Sequence, residues 1–141
     1  MISKYFITQE LVPPDIYTQY GEKSMWFIDP RLIILADFLR EFVGQPMTIN
    51  NWDSGHTLSL RGFRPPDTTV GGRLSQHKFG RAFDCSFDDI LPRTVYNSIL
   101  SNEKLFMEQG LTTLENIEFT KSWLHCDIRH TGSSSLLIVN P

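Results

Sequence analysis

Apolar residues recur along this chain with two different periods, which separate helical stretches from extended ones. Between Asp29 and Gly44, the residues Leu32, Leu35, Ala36, Leu39, Phe42 and Val43 return at helical spacing. Asp29 can cap such a helix, Pro30 suits its first position and Gly44 its end, so the pattern predicts an amphipathic helix packed across a sheet. Upstream, F-I-T-Q-E-L-V-P-P-D-I-Y-T-Q-Y-G predicts one or two short helices broken by Pro13 and Pro14, with its aromatics as packing groups. A further helix is expected to start near Pro92 and to turn Val95, Ile99 and Leu100 inward.

Strand signals fill the rest. M-T-I-N-N-W, L-S-L-R-G-F-R, R-A-F-D-C-S-F, E-N-I-E-F, S-W-L-H-C-D-I-R and S-L-L-I-V each read as extended, the last at a sheet edge. Two of them alternate clearly. In the third, Phe83, Cys85 and Phe87 face the core while Ala82, Asp84 and Ser86 share the other face. In the fifth, Trp123, His125, Asp127 and Arg129 share one face and Leu124, Cys126 and Ile128 the other. The fold class that follows is α+β, an antiparallel sheet with helices mainly on one face and a polar cleft on the other. The irregular R-P-P-D-T-T-V-G-G-R forms a wall or lid of that cleft, where selectivity would reside.

The polar faces carry the candidate chemistry. If the two alternating strands are neighbours, Asp84 and His125 converge, and the Gly80 turn brings His77 over them. Each residue alone has a plainer reading, a core histidine with a satisfied ring nitrogen or an aspartate in a turn. Together, two imidazoles and a carboxylate on one face make the donor set of a catalytic zinc site with an open fourth position. The same donor types form the triad of non-haem iron oxygenases, which place the first histidine and the acid almost adjacent. Here seven positions separate His77 from Asp84, which speaks for the hydrolytic arrangement.

The segments S-Q-H-K-F-G-R-A-F-D and W-L-H-C-D-I-R, preceded by R-G-F-R-P-P-D and V-G-G-R, resemble the zinc D-alanyl-D-alanine carboxypeptidase family. That family includes vancomycin-resistance dipeptidases and phage L-alanyl-D-glutamate endolysins, and shares its fold with hedgehog signalling domains. Its pattern S-x-H-x-x-G-x-A-x-D followed by W-x-H is matched by Ser75, His77, Gly80, Ala82, Asp84, Trp123 and His125, and the likeness runs from Met47 to Arg129. The resemblance implies a hedgehog/D,D-peptidase-like fold, a Zn2+ ion on His77, Asp84 and His125, and hydrolysis of a peptidoglycan stem-peptide amide bond of the D,D-carboxypeptidase or endolysin type. It also places Arg64 where the family carries an arginine that grips a substrate carboxylate or stabilises the attacked carbonyl. Without the metal motif, Arg64 would read as a partner of Asp67 or of solvent. The family's catalytic carboxylate, three residues before the last histidine, is Ser122 here, which cannot serve as a base. Asp127 is the best substitute, with Glu115 and Glu118 behind it. Asp127 has an equal alternative, orienting His125 or pairing with Arg129.

Composition narrows the class. With 141 residues, 40% of them hydrophobic, the chain suits a single domain, residues 1–45 as a helical packing segment and 46–141 as the metal-site core. A net charge of −3 gives no footprint for nucleic acid. No secretory signal or membrane span is expected, so synthesis as a soluble cytoplasmic protein, acting at the wall after release or within a phage particle, is the expectation. The two cysteines, Cys85 and Cys126, each follow a proposed ligand and belong to the core face as buried thiols. His56 reads as a solvated loop residue. Besides the wall peptidase, two readings stand: a metal-bearing structural or binding module of a phage particle, with a virion partner, and, more distantly, an oxygenase.

Overall fold

The computed structural model describes residues 2–141 and places four α-helices against a five-stranded sheet. The N-terminal stretch runs through a 3-10 turn at Thr8–Glu10 into α1 (Pro14–Tyr20), with Pro13 at the cap and Pro14 at the first helical position, then through a 3-10 segment at Gly21–Phe27. Helix α2 (Pro30–Val43) has the expected limits. Asp29 Oδ1 accepts the Arg31 backbone N–H at 3.0 Å at its start, and Gly44, with φ of 74°, closes its end in the left-handed region. Leu32, Ile33, Leu35, Ala36 and Leu39 are its buried face. Phe42, expected inward, is 38% exposed and instead lays its ring edge-on to Phe106.

Helix α3 (Pro92–Ser101) buries Pro92, Val95, Tyr96 and Ile99, the i, i+3, i+4, i+7 face. Leu100, expected inward, lies about 100° past Ile99 on the helical wheel and is 39% exposed. Helix α4 (Glu103–Glu108) follows at once, too short to leave a readable period in the sequence.

The strands are β1 (Met47–Thr48), β2 (Ala82–Phe87), β3 (Thr113–Glu115), β4 (Leu124–Asp127) and β5 (Leu137–Val139), in the spatial order β1-β2-β4-β3-β5. The pairs β1–β2, β2–β4 and β3–β4 are antiparallel, but β5 runs parallel to β3, so the sheet is mixed and not purely antiparallel. β5 does lie at an edge, as its position in the sequence suggested. Two expected strands differ. Leu58–Arg64 forms no ladder, because the Arg61 N–H goes to the Asn50 side chain and only its carbonyl reaches the sheet, at Asp84 N. The strand expected at E-N-I-E-F ends at Glu115, where the Asn116 side chain accepts the Glu118 N–H at 3.1 Å and bends the chain into a turn.

One core unites both parts of the chain. Val12, Leu35 and Leu39 pack with Phe83, Cys85, Leu114, Leu124 and Cys126 in a single buried cluster. Both cysteines are buried free thiols on that core face, as alternation required. Among the described residues no helix is long and apolar enough to cross a membrane.

Candidate metal centre

The sheet register creates the site. β2 and β4 pair so that Asp84 stands opposite His125, and Leu114 opposite Cys126 puts Glu115 in line with His125 on its other side. Three adjacent strands thus carry Asp84, His125 and Glu115 in a row on the face away from the core. The cysteines that flank Asp84 and His125 turn the opposite way.

His77 arrives from outside the sheet, on a 3-10 turn at Gln76–Phe79 that ends at Gly80. Gly80 has a φ of 65°, and a Cβ there would stand 1.8 Å from the Phe27 carbonyl oxygen, so both backbone conformation and close approach demand glycine. The Asp29 N–H donates to the Gly80 carbonyl at 3.0 Å and the Arg64 N–H to the His77 carbonyl at 3.1 Å. The N-terminal segment and the Arg64 loop therefore both fix the turn.

Each imidazole is oriented by an oxygen behind it. His77 Nδ1 lies 2.8 Å from the Gly62 carbonyl, to which it can only donate, and its Nε2 is 3.4 Å from Asp84 Oδ1. His125 is turned the other way. Its Nε2 is 2.9 Å from Asp127 Oδ2, and its Nδ1 is 2.8 Å from Asp84 Oδ1. Ligand atoms of His77, Asp84 and His125 all lie within 4.8 Å of one another. A tetrahedral zinc with bonds of ~2.0–2.1 Å needs ligand atoms about 3.3 Å apart, so the trio would hold such an ion after shifts of up to about 1.5 Å. The fit extends to protonation, since each ring would ligate through the nitrogen its backing oxygen leaves free.

The carboxylates separate by what else holds them. Asp127 is fully buried, and besides His125 it takes Arg129 Nε at 2.8 Å and Nη2 at 2.5 Å. It meets the Nε2 side of the His125 ring, opposite the Nδ1 that meets Asp84, a position that matches the orienting alternative. Glu118 pairs with Arg93 at 2.8 Å and is 59% exposed, away from the centre. Glu115 stands on the Nδ1 side of the ring with the trio, its Oε1 3.8 Å from His125 Nδ1, and among the described residues it makes no side-chain hydrogen bond. Sequence reasoning ranked it below Asp127 because the β3–β4 register that aligns it with His125 is a tertiary fact, and L-T-T-L-E alternates too weakly to show it.

Arg64 lies at the centre but is engaged. Its Nη2 is 3.3 Å from Asp84 Oδ2 and its Nε donates to the Leu60 carbonyl at 2.6 Å; the expected alternative partner Asp67 is exposed. His56 is exposed, in accord with a loop role.

Electrostatics follow the geometry. Burial opposes the charge of Asp84, yet hydrogen bonds from His125 and His77 outweigh it and hold the carboxyl far below the usual range. Burial likewise opposes protonation of His125, but Asp127 and Asp84 together push it up to about 9. A protonated His125 thus lies between the carboxylates of Asp84 and Asp127.

Comparison of this chain with protein-family models, with curated proteins and with solved structures finds no match.

Proposed function

We propose that the protein is a zinc-dependent peptidase that cleaves a peptidoglycan stem-peptide amide bond, on a hedgehog/D,D-peptidase-like fold. The observation that supports it most is a free carboxylate, Glu115, beside three oriented donors, with its neighbours already satisfied. A zinc ion on His77 Nε2, Asp84 and His125 Nδ1 would supply Lewis acidity and a water of lowered pKa. Glu115, not Asp127, then accepts the proton of the attacking water and delivers it to the leaving amine. Arg64 holds the Asp84 carboxylate in place and presents positive charge toward the oxygen of the attacked carbonyl. Asp127 and Arg129 keep the His125 ring in its ligating orientation. The motif resemblance, and not the fold or the comparisons, supplies the peptidoglycan substrate.

A second reading has an observation of its own. Asp84 already accepts from His125 and lies beside Arg64 and His77, so the cluster is satisfied without an ion, as suits a structural or binding module of a phage particle. Incubation with zinc and purified peptidoglycan, with released fragments identified by mass, separates the two. His77→Ala should abolish stoichiometric zinc and cleavage together. Glu115→Gln should keep zinc while slowing cleavage about 10²–10⁴-fold. Absence of release from every wall chemotype would favour the module.

A further inference from the structure

Three guanidinium groups meet at one end of the sheet, at a cavity separate from the metal centre. The cavity, of about 450 Å³, is lined by Arg31 at the start of α2, Arg81 just before β2, and Arg129 and His130 just after β4, together with Thr112 and Thr131. No acidic residue lines it, and neither His77 nor His125 does. Backbone bonds bring the three segments together, for the Ile128 N–H donates to the Arg81 carbonyl at 3.1 Å and the Asp29 N–H to the Gly80 carbonyl at 3.0 Å. Arg31 gives Nε and Nη2 to Asp29 at 3.0 and 2.6 Å, as Arg129 gives the same two atoms to Asp127. Each fork is thereby fixed along one edge, and its Nη1 donors have no hydrogen-bond partner among the described residues. Arg81 makes no side-chain hydrogen bond among the described residues, and its Nε stands 3.9 Å from Asp29 Oδ2. Three guanidinium charges thus face two carboxylates that lie outside the lining, which leaves positive charge unbalanced on a chain whose net charge is −3. Like charges gathered on one cavity repel, and an entering anion reverses that cost.

We infer that this cavity binds a phosphate group. One guanidinium fork satisfies a planar carboxylate, whereas forks that arrive from three separate segments suit a tetrahedral oxyanion, whose oxygens point in several directions. The hydroxyl of Thr131 and the imidazole of His130 add further donors to the same lining. The volume exceeds what a bare anion fills, so the phosphate can carry a substituent. Free phosphate, a monoester and the diester of a polymer share this chemistry. The site needs no metal and stands whether or not the protein is a peptidase.

The test is calorimetric titration of the full chain at low ionic strength, with chelator present so that phosphate held by a metal cannot contribute. Inorganic phosphate should bind once per chain with a dissociation constant of about 0.1–1 mM, and acetate at least about tenfold more weakly. Arg81→Ala should weaken phosphate binding about tenfold or more with the melting temperature retained, and Arg81→Lys should restore part of it. Arg31→Ala should act in the same direction and serves if Arg81→Ala fails to fold. Lys121→Ala, which removes one exposed charge elsewhere, should leave binding unchanged. Dimethyl phosphate separates the sources: binding as tight as that of inorganic phosphate assigns the site to a diester, and much weaker binding assigns it to free phosphate or a monoester. Absence of saturable binding of both, acetate bound as tightly as phosphate, or affinity undiminished in the Arg81→Ala and Arg31→Ala proteins overturns the site. An equal loss in the Lys121→Ala and Arg81→Ala proteins overturns it too, since only the overall charge would then matter.

Discussion

At the residue scale, two aspartates on alternating strands have opposite fates. Asp84 and Asp127 both share a face with His125, yet Asp84 meets the ring at Nδ1 and Asp127 at Nε2. Strand periodicity shows that two side chains point the same way, but not which atom of a ring lies between them. That is why the convergence of His77, Asp84 and His125 was legible, while the side of the ring that Asp127 meets was not. The difference is measurable. If the proposed reading holds, Asp127→Asn should weaken zinc binding about 10- to 100-fold through loss of ring orientation, while kcat/KM at saturating zinc stays within about tenfold of the parent. Intact zinc affinity with kcat/KM lost by about 10²-fold or more would make Asp127 the base. Arg64 repeats the lesson: its place beside the metal motif was readable, whereas its partner, Asp84 in place of Asp67, depends on how the loop closes.

At the scale of elements, the parts with local signals formed where the sequence put them. α2 began at its Asp29 cap and ended at Gly44, and β2 occupied its alternating run. The departures arose where a side chain captured a backbone group, at Asn50 for Leu58–Arg64 and at Asn116 for the end of β3. The turn that carries His77 is the most demanding connection, because it meets the Phe27 backbone as well as the sheet. Gly80→Ala should therefore cost more than the ~1–2 kcal/mol of left-handed backbone strain alone, since the 1.8 Å approach to the Phe27 carbonyl must also open. Urea unfolding of the metal-free protein reads this directly, and a loss below about 1 kcal/mol would show that the turn relaxes freely.

At the scale of the molecule, the buried charges set its response to pH. His125 has a folded pKa of about 9, above its ordinary 6.5, so in the metal-free protein its stabilisation is complete below 6.5 and is lost as pH rises through about 9. Asp84 is shifted below its ordinary 3.8, so its contribution is present above 3.8 and falls away as the solution becomes more acidic. The melting temperature with chelator present should thus be highest between about pH 4 and 6.5 and decline on both sides. A zinc ion bound as proposed would have to displace the Nδ1 proton, so its affinity should rise roughly tenfold per pH unit up to about pH 9. A metal-free melting temperature that stays flat from pH 6.5 to 10 would refute the doubly bonded imidazolium. The same sheet that gathers these charges also bears on crowding of one copy against another. Its two edges are only two and three residues long. A foreign strand added there would gain a few backbone hydrogen bonds of about 1 kcal/mol each, against some 4–15 kcal/mol of translational and rotational freedom. Self-association by strand addition is therefore disfavoured at either edge, and the sheet stays closed to fibrous growth.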